Sequence, residues 1–99
     1  MIGVDFLAVA RSELAETIAY YDEQRQGLGD EFLLEARRTI ARIQQWPNAW
    51  QKLSKNVRRC RLNRFPYGVV YQLRQDRVLI LGVMHLKRRP SYWRGREQN

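Results

Sequence analysis

The sequence predicts an α+β domain of order β-α-α-β-β-β, with an antiparallel sheet covered on one face by an αα-hairpin. Three observations predict it. Residues 7–46 carry two apolar stripes at helical spacing, separated only by Gly27-Leu28-Gly29. Residues 57–84 carry strand patterns punctuated by turn residues. A chain of 99 residues holds one modest core, so helices and strands must share it, and residues 1–99 form a single domain.

Taken in order, Ile2 to Phe6 is short and β-prone, with Ile2, Val4 and Phe6 on one face if extended. Leu7 to Gln26 follows as a helix, its stripe formed by Ala10, Leu14, Ile18 and Tyr21. Glu13 and Glu16 favour its first turns through the helix dipole, and the start falls either near Ala8 or at Ser12 as a cap. Of the Tyr20-Tyr21 pair, one ring is expected to pack and the other to lie at the surface. Gly27 suits the left-handed position after a helix, and Gly29-Asp30 suits the start of the next. Asp30 to Trp46 places Phe32, Ala36, Ile40 and Ile43 on one stripe, and Pro47 stops it. So short a connection makes the helices an antiparallel hairpin.

Asn48 to Asn56 reads as a polar loop pinned by Trp50 and Leu53. Val57 to Leu62 alternates, with Cys60 and Leu62 facing one way and Arg59 and Arg61 the other. After the break at Phe65-Pro66-Tyr67-Gly68, Val69, Tyr71 and Leu73 share a face. Gln75-Asp76 turns the chain into Arg77 to Met84, apolar at nearly every position and so expected at the sheet centre, covered on both sides. Pro90 then fixes a turn, and Ser91 to Gly95 form a short helical turn or extend the edge. The sheet face away from the helices is expected to be a shallow concave surface lined by arginines.

Composition narrows the function. The longest apolar run, Val78 to Met84, falls far short of the ~20 residues of a membrane helix. No basic segment precedes an apolar core at the N-terminus, so no signal peptide is expected. Cys60 is the only cysteine, which points to a reducing compartment, with the cytoplasm as default. Residues 1–46 carry five basic and eight acidic side chains, whereas residues 47–99 carry thirteen basic and two acidic. The second half, at net +11, suits nucleic acid, an acidic protein or a membrane surface, the bland alternative being a merely solvated face.

No metal or cofactor site is legible: one histidine and one cysteine do not make zinc spacing, and no glycine-rich phosphate loop occurs. Metal-free RNA cleavage at the 2′-hydroxyl needs a base, cations on the phosphate and an acid. His85, Lys87, Arg88, Arg89 and Tyr92 are of the right types at one end of the last strand, although each has an ordinary structural reading as well. Arg58, Arg59, Arg61 and Arg64 are the other polyanion candidates.

These residues carry a resemblance. Tyr20-Tyr21, Gly27-Leu28-Gly29 with Phe32, Pro47, Arg64-Phe65-Pro66-Tyr67 with Val69-Val70-Tyr71, and His85 with Arg88-Arg89-Pro90-Ser91-Tyr92-Trp93 together resemble the RelE/ParE superfamily of bacterial toxin–antitoxin toxins, over nearly the whole length. The pattern is more similar to the ParE-like, plasmid-stabilisation branch. The resemblance implies a gyrase-poisoning toxin that is not itself an enzyme, held by an antitoxin whose acidic tail folds on it. Arg59, Arg61, Arg64, Lys87, Arg88 and Arg89 are the residues expected to bind that tail or another polyanion. The alternative is a RelE-like, ribosome-dependent mRNA endonuclease with ribosome and mRNA as partners, in which His85, Arg89 and Tyr92 would be catalytic. RelE-like members place a catalytic arginine where this chain has Gly68, and their catalytic tyrosine falls near Trp93.

Overall fold

A computed structural model describes residues 1–98. β1 (Gly3–Phe6) leads into α1 (Ala8–Gln24) and α2 (Leu28–Gln45), followed by β2 (Gln51–Lys52), β3 (Val57–Arg61), β4 (Tyr67–Arg74) and β5 (Arg77–His85). A single 3₁₀ turn, Pro90–Tyr92, begins the C-terminal segment. The strands form one sheet in the order β1-β5-β4-β3-β2. The expected α+β class and helical hairpin are present, and the sheet differs in two respects. It is mixed rather than wholly antiparallel, because β1 pairs with β5 in parallel, from Gly3 opposite Arg77 to Phe6 opposite Ile80. The two-residue β2 lies within the stretch expected to be loop.

Two cores result, one on each face of the sheet. On the helical face, Ala10, Phe32, Ala36, Ile40 and Ile43 pack with Cys60, Leu62, Val69, Tyr71, Val78 and Ile80. The α2 stripe is thus buried throughout, as its spacing predicts. The α1 stripe is not: beyond Ala10, its members Leu14, Ile18 and Tyr21 are only partly buried. Tyr21 stacks on Phe32 at 5.4 Å, whereas Tyr20 is exposed. On the opposite face, Val57, Val70, Leu81, Met84 and Trp93 form the second core. This corrects the expectation of an open, arginine-lined surface. The C-terminal segment crosses that face, where Trp93 is 5 % exposed and the Gln72 side chain exchanges two hydrogen bonds with the Gln98 backbone.

Acidic side chains of the first half pin the backbone of the fold. Asp22 Oδ1 accepts the N–H groups of Gly27 and Gly29, so one donor in the first turn of α2 and one just before it are satisfied from α1. Gly29 lies inside α2 instead of capping it, and a Cβ there would sit 2.6 Å from the Ile18 carbonyl oxygen, so glycine permits the close helix crossing. Glu35 is buried, and its Oε1 accepts the N–H groups of Asn63 (2.7 Å) and Arg64 (3.2 Å). That bond holds a turn in which Phe65 adopts φ 74°. Gln75 and Asp76, at φ 47° and 63°, make the two-residue hairpin turn between β4 and β5. Farther along β5, Tyr71 opposes Ile80 and Val70 opposes Gly82, leaving Leu81 as the extra residue of a β-bulge.

Candidate functional site

β5 delivers His85 to the end of the sheet, where it opposes Tyr67 on β4. The two rings meet edge to face at 5.2 Å. His85 Nδ1 accepts the Lys87 backbone N–H at 3.1 Å. In the neutral ring the remaining proton therefore sits on Nε2, which makes this histidine a donor at its free nitrogen. The ring stands between two small clefts. One, of about 150 Å³ on the helical side, is lined by Glu13, Glu16, Thr17 and Tyr67 among others. The other, of about 100 Å³ on the opposite face, brings His85 together with Arg59, Arg88 and Arg94.

The C-terminal segment supplies the wall of this second cleft through Pro90 and Trp93. It is held in place by Arg96, whose Nη1 donates to Glu13 Oε1 and to the Leu81 carbonyl, each at 3.0 Å. Arg88 lies 3.7 Å from Glu13 Oε2 and covers the Tyr92 ring at 4.3 Å. Tyr92 is otherwise exposed, as is Arg89, and neither lines the two clefts beside His85. Arg88, rather than Arg89, is the arginine brought to the histidine.

Arg59 and Arg61 project from the same face of β3, as their alternation predicts, but their surroundings differ. Arg61 is exposed, whereas Arg59 is half-buried and donates from Nη2 to Gln51 Oε1 at 2.9 Å. Its Nε is buried without an acceptor. Burial, and secondarily the charge of Arg61, hold its pKa below the usual guanidinium value. Its stem crosses Gly68, where a Cβ would meet Arg59 Cδ at 2.8 Å and Cγ at 2.9 Å. The volume that a side chain at position 68 would need is thus occupied by Arg59. Arg64 lies at the far side, paired with Glu31 at 3.1 Å, and Lys87 is exposed. The polyanion candidates therefore do not converge on one point. Arg59 and Arg88 share a cleft, while Arg61, Arg64, Lys87 and Arg89 do not line it.

A second candidate surface lies along the helices, where the α1 stripe is incompletely buried. A groove of about 430 Å³ is lined by Phe6, Leu14, Leu33, Ala36 and Ile40, with Arg37 and Gln44 also lining it. A neighbouring hollow of about 340 Å³ shares Phe6 and Leu14 and adds Ala15, Ile18 and Arg11. Together they make an apolar trough with arginines beside it.

A family model described as the ParE toxin of the type II toxin–antitoxin system parDE matches residues 4–90. The chain belongs to the ParE toxin family. Solved structures share its fold. A chain of the chromosomal ParDE toxin–antitoxin system from P. aeruginosa is 18% identical with a TM-score of 0.72, covering 86% of this chain and 96% of that one. The isolated E. coli RelE toxin is 18% identical with a TM-score of 0.66, covering 93% of this chain and 92% of that one. No curated protein sequence matches significantly. Membership of the RelE/ParE superfamily, expected from the sequence, is thereby established.

Sequence reasoning missed two members of the site. Glu13 had only a helix-dipole role, and its link to β5 and Arg96 has no signature in local spacing. Arg94 was one of many arginines. Among the described residues no cluster of His, Cys, Asp and Glu is suited to a metal ion, and no helix is long and apolar enough to cross a membrane.

Proposed function

We propose that this ParE-family toxin acts in the bacterial cytoplasm by inhibiting DNA gyrase, and is neutralised by a protein antitoxin with an acidic tail. The observation that carries the choice of target is the relation of Gly68 to Arg59. The position where RelE-like nucleases carry a catalytic arginine is a glycine, and the stem of Arg59 fills its space. The lone pair of the neutral His85 ring is engaged by the Lys87 N–H, so this histidine is poorly placed to take a proton from a 2′-hydroxyl. Both features favour a toxin that works by binding.

The apolar trough supports the antitoxin reading. An amphipathic segment would set its apolar side chains against Phe6, Leu14 and Ile40, and its acids near Arg11 and Arg37. The basic second half of the chain attracts the same segment at longer range. Purified toxin added to gyrase and plasmid is expected to leave cleaved DNA bound to the enzyme. Normal supercoiling with intact plasmid at saturating toxin would overturn the reading.

The second reading, a ribosome-dependent mRNA endonuclease, draws on the cationic end of β5. It assigns catalysis to His85, Arg89 and Tyr92. Replacing His85 and Arg89 together would then abolish toxicity in a folded protein, and retained toxicity would exclude them.

A further inference from the structure

Of the two clefts beside His85, the one on the sheet face opposite the helices contains cations and no acid. Arg59, Arg88 and Arg94 line it with the imidazole, and Val70, Met84 and Trp93 contribute apolar wall. Among the described residues, neither Arg59 nor Arg94 has a carboxylate partner. Arg59 has Gln51 alone as an acceptor, and Arg94 has the face of Trp93 at 5.6 Å. Arg88 has the face of Tyr92 at 4.3 Å and a long contact with Glu13 at 3.7 Å. A half-buried guanidinium with an orphaned Nε is an incomplete arrangement, since buried donors are nearly always satisfied and buried charges nearly always paired. His85 also lines this cleft, and with Nδ1 engaged its remaining ring donor in the neutral form is Nε2–H.

We propose that this cleft receives one side-chain carboxylate from an acidic peptide partner. The proposal rests on the antitoxin reading above and names a second point of attachment, on the opposite sheet face from the apolar trough. The size and walls of the cleft favour a protein acid over a nucleic-acid phosphate. A volume of about 100 Å³ takes a carboxylate with its methylene arm, and Val70 and Met84 suit those methylenes. A phosphodiester would bring flanking riboses and bases that a cleft of this volume has no room to hold. The guanidinium fork pairs with carboxylate and phosphate alike, so the choice rests on the size and the apolar walls of the cleft. Arg61, Arg64 and Lys87 stay outside the cleft and act only as a general field.

The test titrates N-acetyl-L-glutamate into the ¹⁵N-labelled chain and follows the arginine Nε–H resonances. Expected is a saturable shift at Arg59 and Arg94, with Arg61 and Arg64 unmoved. Binding should weaken roughly tenfold in Arg94→Gln, the scale of one lost charge-assisted bond. Arg94 is exposed, so this variant is expected to fold, and its amide spectrum checks that. Arg59→Lys, which keeps the charge and loses the fork, serves as a second variant with the same expected weakening. Unsaturable shifts spread over all the arginines would overturn the proposal. So would a short single-stranded RNA moving Arg59 at lower concentration than the glutamate does. Co-expression with the antitoxin reads the parent proposal separately. Neutralisation without carboxylate binding sinks only the cleft, and carboxylate binding without neutralisation sinks only the antitoxin reading.

Discussion

Glu13 on α1 and Arg96 in the C-terminal segment, 83 positions apart, meet at 3.0 Å, and the same Glu13 oxygen accepts the Val83 N–H at 3.1 Å. One carboxylate thereby joins the first helix, the bulged part of β5 and the segment that covers the far sheet face. Its side chain is 12% exposed, so solvent screens the pair only weakly. Glu13→Ala leaves the Val83 N–H without its acceptor and Arg96 with only the Leu81 carbonyl, and is expected to cost about 2 kcal/mol. Urea unfolding measures it, and a loss under about 0.5 kcal/mol, the range of an ordinary surface substitution, would contradict the role.

Glu35 does comparable work for the turn that presents Arg64 and Tyr67. Its two bonds to the Asn63 and Arg64 N–H groups hold a loop whose Phe65 sits at φ 74°, a conformation that costs about 1–3 kcal/mol in a non-glycine residue. Glu35→Ala is expected to destabilise by about 2 kcal/mol and to expose the Asn63 amide to exchange. Unchanged protection of Asn63 in hydrogen-exchange NMR would exclude the pin.

Gly68→Ala puts a Cβ into the stem of Arg59 and is expected to cost about 1–3 kcal/mol by overpacking. The cost should largely vanish when Arg59 is already alanine, because the clash has then lost its partner. A double-mutant cycle gives the coupling. Additive losses would show that Arg59 is not what requires the glycine.

Much of the fold was legible in residue spacing, and the exceptions share a cause. The α2 stripe, the alternation of β3 and the Gln75-Asp76 hairpin are local patterns, and local periodicity reports them. The parallel pairing of β1 with β5 is a matter of strand direction, which a period of two does not encode. Trp93 follows a turn with no repeating pattern around it, so nothing marked it as the cover of the second core. The cleft beside His85 draws Arg59 from β3 and Arg94 from the C-terminal segment, and no sequence distance foretells that meeting. The incomplete burial of Leu14 and Ile18 was also hidden, because a stripe looks the same whether the chain's own core or a partner covers it.

The acid dependence of stability follows from two carboxylates of the first half, Asp5 and Glu31, each paired with an arginine of the second. Arg77 holds the Asp5 carboxyl below its ordinary value of 3.8, chiefly by hydrogen bonding. Arg64 and then Arg25 do the same to Glu31, below 4.5. A lowered carboxylate pKa contributes stability above the unfolded value, and that contribution is lost as pH falls through the folded one. Asp5 is exposed and Glu31 is partly exposed, so the effect is small. Glu31→Gln should flatten the fall in stability below about pH 4.5 and change little at neutral pH. A steeper acid limb in the variant would reverse the sign and contradict the pairing.

DNA gyrase is the proposed target. Induction of the chain in bacteria, with pulse labelling of DNA and protein synthesis followed separately, tests it most directly. DNA synthesis is expected to stop first while protein synthesis continues. Protein synthesis stopping first would contradict gyrase as the target and turn attention to His85, Arg89 and Tyr92 as a nuclease site.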